Sequence, residues 1–173
     1  MTASMTANTG RQRAMTALFL AVAMAATVGS ALAFQYIGGY IPCHLCLEQR
    51  TPYYIGVPLM LLALLASALH APAWAVRGLL AIGGLLMLYG LYLGIYHAGV
   101  EWAWWQGPAD CTAGAGQVDT GGKGVLDALD KFVPPSCDKA ALRILGLSLA
   151  GWNAIASLVL AAVAFRSAFT RLR

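Results

Sequence analysis

Leu79 to Gly99 reads LLAIGGLLMLYGLYLGIYHAG, without a single Asp, Glu, Lys or Arg. As a helix rising 1.5 Å per residue it covers about 31 Å, roughly the hydrocarbon thickness of a bilayer. Working outward, three further stretches have the length and apolarity of a membrane crossing: Ala14 to Ile37, Tyr53 to Leu69 and Leu142 to Phe165. Across the 173 residues, 60% are hydrophobic, 10% are charged and the mean hydropathy is +0.68. A water-soluble domain of this length does not show that balance, so the bilayer is the solvent. The expected fold is an all-α membrane protein, a bundle of four transmembrane helices. Gly90 and Gly94 form a small-x-x-x-small pair, expected to bring helices close within one bundle. Pro52 and Pro58 predict an irregular or kinked start to the second span.

The charges orient the bundle. Arg11, Arg13, Arg77, Arg166, Arg171 and Arg173 flank one end with no acidic residue among them, whereas the other end carries five basic and seven acidic residues. Cytoplasmic segments concentrate Lys and Arg, so both termini are expected in the cytoplasm. The net charge of +4 then comes from anchoring arginines and indicates no nucleic acid partner. Residues 1–13 read as a disordered cytoplasmic tail, 14–166 as the membrane domain and 167–173 as a second tail. Basic residues, an apolar run and Ala31-Leu32-Ala33 also match the outline of a cleavable signal peptide, although the run exceeds a signal core in length. Cleavage would leave every cysteine on the same side.

In this orientation all four cysteines lie outside: Cys43 and Cys46 in a short first loop, Cys111 and Cys137 in a long loop from about Val100 to Ala141. Same-side cysteines in an oxidising compartment read as disulfides, and four of them allow three connectivities. Cys43-His44-Leu45-Cys46 is a Cys-x-x-Cys pair, able to form a small reversible disulfide, and thiol-disulfide exchange needs a second dithiol, which Cys111 and Cys137 could supply. If the chain is helical there, Cys43, Cys46 and Arg50 share one face, and a cation one turn from Cys46 with a helix N-terminus nearby favours thiolate. Pro52 opposes a regular helix through Thr51. A purely structural Cys111/Cys137 bridge is the competing reading; it would stabilise the loop by roughly 3 to 4 kcal/mol.

Within the long loop, a glycine-rich stretch precedes Val125 to Val133, whose Leu126, Leu129, Phe132 and Val133 recur at three and four. That spacing predicts a short amphipathic helix on the membrane surface, near Cys137. Trp102, Trp104 and Trp105 read as an interfacial aromatic belt, with cofactor stacking as the alternative. Zinc would need ligands from Cys43, His44, Cys46 and His97, but the paired blocks of structural zinc sites are missing, so no metal is expected. Residue 47 is Leu, which excludes the Cys-x-x-Cys-His of haem c attachment. With no dinucleotide fingerprint either, electrons leaving a dithiol have a lipid-soluble quinone as the economical acceptor.

Together, Pro42-Cys43-His44-Leu45-Cys46 with Arg50, Tyr96-His97, Cys111 and Cys137, Leu145-Gly146-Leu147 opening the fourth span, and Trp152 resemble the bacterial disulfide bond formation protein B family, DsbB, over about residues 14 to 166. The resemblance implies a thiol:quinone oxidoreductase of the bacterial inner membrane with its cysteine loops in the periplasm. A reduced DsbA-like protein of thioredoxin fold would attack Cys111 of a Cys111/Cys137 disulfide, Cys137 would attack Cys43, and Cys46, supported by Arg50, would pass electrons to a ubiquinone or menaquinone. His97 would sit near the same quinone. His44, in a spacer position often apolar in the family, and the glycine-rich outer loop depart from its pattern. Two other readings remain at this level. One is a relay like vitamin K epoxide reductase; the other is a non-enzymatic scaffold with a disulfide-braced loop, similar in outline to tetraspanins.

Overall fold

The structure, a computed structural model, describes residues 2–108, 111 and 136–170. Helix α1 (Thr2–Tyr36) is followed by the one-turn helix α2 (His44–Glu48), by α3 (Thr51–Ala68) and by α4 (Ala73–Glu101). A two-stranded hairpin, β1 (Arg143–Ile144) and β2 (Leu147–Ser148), leads into α5 (Leu149–Phe169). Four segments are long and apolar enough to cross a membrane: Gly10–Tyr36, His44–Ala68, Ala73–Glu101 and Leu149–Phe169. The four-helix membrane architecture expected from hydropathy is therefore present.

α1 begins upstream of the predicted Ala14 and runs through residues read as a disordered tail. Helix propagation adds a hydrogen bond for each residue fixed, so Ala- and Met-containing sequence can extend a helix already nucleated by an apolar span. The surface helix expected at Val125 to Val133 lies outside the described residues.

The fourth span departs from expectation. Leu142 to Ser148 do not open the helix, because Leu145 (φ 54) and Gly146 (φ 83) form a two-residue turn between β1 and β2. Positive φ at both central positions matches the right-handed twist of a hairpin, and Gly146 supplies it without steric cost. Ser148 then caps α5, its Oγ accepting from the Gly151 amide at 3.2 Å. The side chain satisfies one of the free N–H groups of the first turn. Trp152 ties the helix back to the hairpin by donating to the Ile144 carbonyl at 3.0 Å.

Pro52 sits in the first turn of α3, where its missing N–H costs nothing. The irregular start expected for this span is the break at Gln49–Arg50 between α2 and α3. α4 packs most extensively on α5, and α1 on α3. Gly90 and Gly94 lie in the α4–α5 seam: a Cβ on Gly94 would come within 2.9 Å of the Ala154 backbone nitrogen, and one on Gly90 within 3.0 Å of Ser157 Oγ. The small-residue pair thus serves packing within the bundle. Away from the cysteines the core is Leu20, Met24, Met60, Leu80 and Met87 among small residues such as Ala17, Ala63 and Ala164. The outward faces carry half-exposed Phe19, Leu61, Leu85 and Leu158, as lipid-facing surfaces do. Arg77, at the start of α4, donates to the Ala168 carbonyl at 2.6 Å near the end of α5, tying the two together at the basic end.

Candidate functional site

All four cysteines gather at one end of the bundle. Cys43, Leu45, Val100 and Cys137 form a buried cluster against which Cys46, Tyr96 and Cys111 pack. Residues from the first loop, the end of α4 and the long loop meet there. Cys111 and Cys137 are disulfide-bonded, with Cα atoms 5.6 Å apart, whereas Cys43 and Cys46 are free thiols whose sulfurs lie 3.0 Å apart. The structure therefore holds one of the two bonds of the Cys43–Cys46, Cys111–Cys137 connectivity, with the outer pair closed and the Cys-x-x-Cys pair reduced.

Cys43 is the N-cap of α2 and Cys46 lies within that helix, so one turn brings the sulfurs together. With five residues, α2 has little macrodipole, and the thiolate support expected from a helix N-terminus is small. Cys43, just ahead of the second span, nevertheless has its thiol pulled down to about 4. The hydrogen bond shared with Cys46 is the largest cause and His97 adds to it, while burial pushes the other way. Within the reduced pair the contacts with Cys46 and His97 favour the thiolate on Cys43.

Arg50 does not turn toward Cys46. Its guanidinium donates to Gln35 Oε1 at 2.5 Å and to the Ala31 carbonyl at 3.4 Å, both on α1. The residue is buried, and among the described residues no carboxylate lies within ion-pair distance of it. Both partners lie on α1, and a signal-peptide cleavage after Ala33 would remove Ala31 while leaving Gln35. Arg50 and Cys46 do share the wall of a cavity of about 320 Å³ between α1, α3 and α5, lined also by Phe34, Tyr40, Trp152 and Asn153. The lining is mostly apolar, with a buried cation at its edge and a half-buried thiol facing it.

His97 is elsewhere. It is not among the residues lining that cavity, and its Nε2 lies 3.7 Å from Cys43 Sγ and 3.8 Å from Glu101 Oε1. One ligand atom each from Cys43, Cys46 and His97 falls within 4.8 Å of the others, but His44 stands outside this group, so the four-ligand zinc set is not assembled. Nor do Trp102, Trp104 and Trp105 line the cavity. Trp105 stacks on Tyr96 and donates to its carbonyl, while Trp102 and Trp104 are exposed, in keeping with an interfacial belt.

Sequence reasoning did not single out Gln35, Gln49, Tyr53, Glu101, Asn153 or Ser157. Gln49 Nε2 lies 2.6 Å from His97 Nδ1, Asn153 Nδ2 donates to Gln49 Oε1 at 2.7 Å, and Tyr53 donates to Asn153 Oδ1 at 2.6 Å while Ser157 Oγ lies 2.9 Å from the Tyr53 hydroxyl. The available signal was their polarity inside otherwise apolar spans, where a polar side chain is expensive and so marks a partnered or functional position.

Neither the curated proteins nor the solved structures yield a match to this chain. The model of the family described as disulfide bond formation protein DsbB matches residues 12–166, from the first membrane helix to the last. That span contains both cysteine pairs, the cavity and the buried polar residues. A multi-pass helical membrane protein with one disulfide packed on a neighbouring Cys-x-x-Cys pair fits that description, and this chain belongs to the DsbB family.

Proposed function

We propose that the protein is a protein-disulfide:quinone oxidoreductase of the bacterial inner membrane, with its cysteine loops in the periplasm, that reoxidises a DsbA-like dithiol protein. The observation that carries this reading is the single cluster joining the two cysteine pairs, with Cys46 also on the wall of an apolar cavity edged by a buried arginine that has no carboxylate partner among the described residues. Thiol-disulfide exchange proceeds by thiolate attack on a sulfur, so two pairs can exchange electrons only if their sulfurs can meet.

The partner's thiolate attacks Cys111, breaking the Cys111–Cys137 bond and leaving the two electrons on Cys137. The Cys137 thiolate attacks Cys43 of an oxidised Cys43–Cys46 pair and releases Cys46. The partner's second thiol then displaces Cys111 and leaves as a disulfide. Cys111 in turn attacks Cys137, which restores the outer bond and leaves Cys43 and Cys46 reduced, the state seen here. Across the sequence the partner loses two electrons and two protons, and the inner pair gains them.

A bound quinone would supply the two-electron, two-proton acceptor. The cavity suits such a group: its apolar walls accept a ring, and the Arg50 guanidinium, oriented by Gln35 and the Ala31 carbonyl, presents a desolvated cation for a carbonyl or developing oxyanion. Arg50 and Cys46 would hold and face the group. His97, against Cys43 on the other side of the pair, acts on the thiols rather than on the cavity.

The reading is tested by following quinone absorbance with purified protein, a reduced thioredoxin-fold dithiol and either ubiquinone or menaquinone, comparing the native chain with Cys46→Ser. Protein-dependent loss that vanishes in the variant supports the relay. No loss with either quinone, with both disulfides static against the partner, favours a structural role.

A further inference from the structure

The buried chain of amides and hydroxyls behind the inner cysteines has a direction, and that direction decides what His97 can do. Gln49 Nε2 lies 3.3 Å from the Leu45 carbonyl as well as 2.6 Å from His97 Nδ1. A carbonyl oxygen only accepts, so the amide nitrogen of Gln49 must face Leu45 and His97. Its oxygen then faces Asn153 and accepts from Nδ2, and the oxygen of Asn153 accepts from Tyr53. Tyr53 has one hydroxyl proton and spends it on Asn153, which leaves Ser157 as the donor to Tyr53.

Reversing Gln49 would set two oxygens against each other at the Leu45 carbonyl and two amide nitrogens against each other at Asn153. The backbone of α2 therefore polarises a relay running through α5 to α3. Four members are buried, Gln49 at 7%, His97 3%, Tyr53 2% and Ser157 0% exposed, and Asn153 is half-buried on the cavity wall. Water is a poor substitute partner at such burial.

We propose that Gln49, held by Asn153 and Tyr53, is a positioning residue that fixes the neutral His97 ring with its proton on Nε2, making His97 a hydrogen-bond donor to Cys43 and not a base toward it. Nδ1 is occupied as an acceptor from Gln49, so in the neutral ring the proton sits on Nε2, the nitrogen facing Cys43 Sγ and Glu101 Oε1. The ionisable groups facing that nitrogen are Cys43, with Cys46 beside it, from the first loop and α2, and Glu101 from α4 itself. A donor there stabilises a thiolate on Cys43 between turnovers. The same tautomer turns a proton, not a lone pair, toward the sulfurs, so the Cys43/Cys46/His97 group is not preorganised for a metal ion.

This inference rests on the inner cysteines being the reactive pair, but its test needs neither quinone nor partner. The chain has three histidines, so His44→Asn with His70→Asn leaves His97 alone for 15N-histidine NMR of the full-length protein in lipid nanodiscs. With the inner pair reduced and the ring neutral, the expected spectrum is that of the Nε2–H tautomer. Gln49→Glu, which cannot donate to Nδ1, should move the proton to Nδ1. Asn153→Asp, which turns an acceptor toward Gln49, should do the same from one residue farther away. In both variants the pH at which iodoacetamide labelling of Cys43 falls off should rise by about one unit, equivalent to a tenfold loss of thiolate support. A native chain showing Nδ1–H, or an unchanged tautomer in Gln49→Glu, would overturn the proposal. Should both variants fail to fold, the native spectrum alone decides. A correct tautomer with no quinone turnover would instead sink only the relay.

Discussion

The two ends of this bundle use the same helices but pack them by different rules. Toward the basic end, Leu20, Met24, Met60, Leu80 and Met87 fill the space among alanines, and what counts is volume. Toward the cysteine end, α3 and α5 place Tyr53, Asn153 and Ser157 in line with Gln49 and His97, and what counts is which atom donates. An apolar interior in lipid is held by close contact alone, and many side chains of the right size serve. A buried polar chain has few arrangements in which every atom is satisfied, so it specifies orientation. The difference teaches that the bundle is a general scaffold whose specificity is concentrated in its last turns, beside the sulfurs.

The largest expected effect comes from breaking the cysteine end without touching the packing. Cys46→Ser should lower quinone turnover to background while leaving the thermal unfolding of the detergent-solubilised protein within about 0.5 kcal/mol of native, since a half-buried sulfur is exchanged for a hydroxyl of similar size. An equal loss of stability would mean that Cys46 is structural. Arg50→Met keeps the length of the side chain and removes its fork. The expected outcome is a KM for quinone raised on the order of tenfold to a hundredfold, the worth of a hydrogen bond to a charged group, read from initial rates over a quinone series. An unchanged KM would separate Arg50 from the cavity's ligand.

The opposite failure is expected from Gly94→Val. There the added side chain meets the Ala154 backbone, and overpacking should cost about 1 to 3 kcal/mol in a denaturation experiment, with the cysteine chemistry of the remaining folded protein intact.

A smaller effect sharpens the electrostatic side. Because the Cys43 thiol is pulled down to about 4, its thiolate is present above that pH and lost as pH falls through it. Alkylation of Cys43, located by fragment mass spectrometry in protein with the outer disulfide intact, should be flat from pH 5.5 to pH 7.5. An ordinary thiol would gain roughly tenfold per unit over that range. Cys46→Ala removes the largest cause of the shift and should restore the slope.

The smallest effect lies outside both regions. Leu145 holds φ 54 and is 89% exposed, so Leu145→Asn relieves a left-handed backbone at no packing cost. It should stabilise the protein by about 0.5 to 1 kcal/mol, visible as a small rise in Tm. No rise would show that the leucine side chain has a compensating role at the membrane surface.

The helices were legible because hydropathy is a property of single residues summed over a window. The fourth one was misread at its start because Leu142 to Leu147 is nearly as apolar as a span. The signals against helix there were Gly146 and the Ser148 cap, which a hydropathy window does not weigh. The cysteines were legible as a set, through their number and the Cys-x-x-Cys spacing, but the hydrogen-bond partners of Arg50 were not. Spacing along one helix put it under Cys46, whereas the break at Gln49–Arg50 turns it toward Gln35 and the Ala31 carbonyl. His97 is expected near a quinone by resemblance; the structure sets its Nε2 3.7 Å from Cys43 Sγ, a contact that spacing does not reveal.

What the sequence by itself determined is everything that depends on local composition: the solvent, the number of crossings, the gathering of four cysteines beyond their ends, and a chemistry of thiols. Tertiary structure alone decided which cysteines are paired, which sulfur faces a cavity and which faces His97, and how a glutamine and an asparagine 104 residues apart meet beside that histidine. The physical reason is range. Transfer free energy is additive residue by residue, whereas a hydrogen bond or a sulfur–sulfur contact depends on atoms meeting within a few ångströms, and helix packing sets those distances.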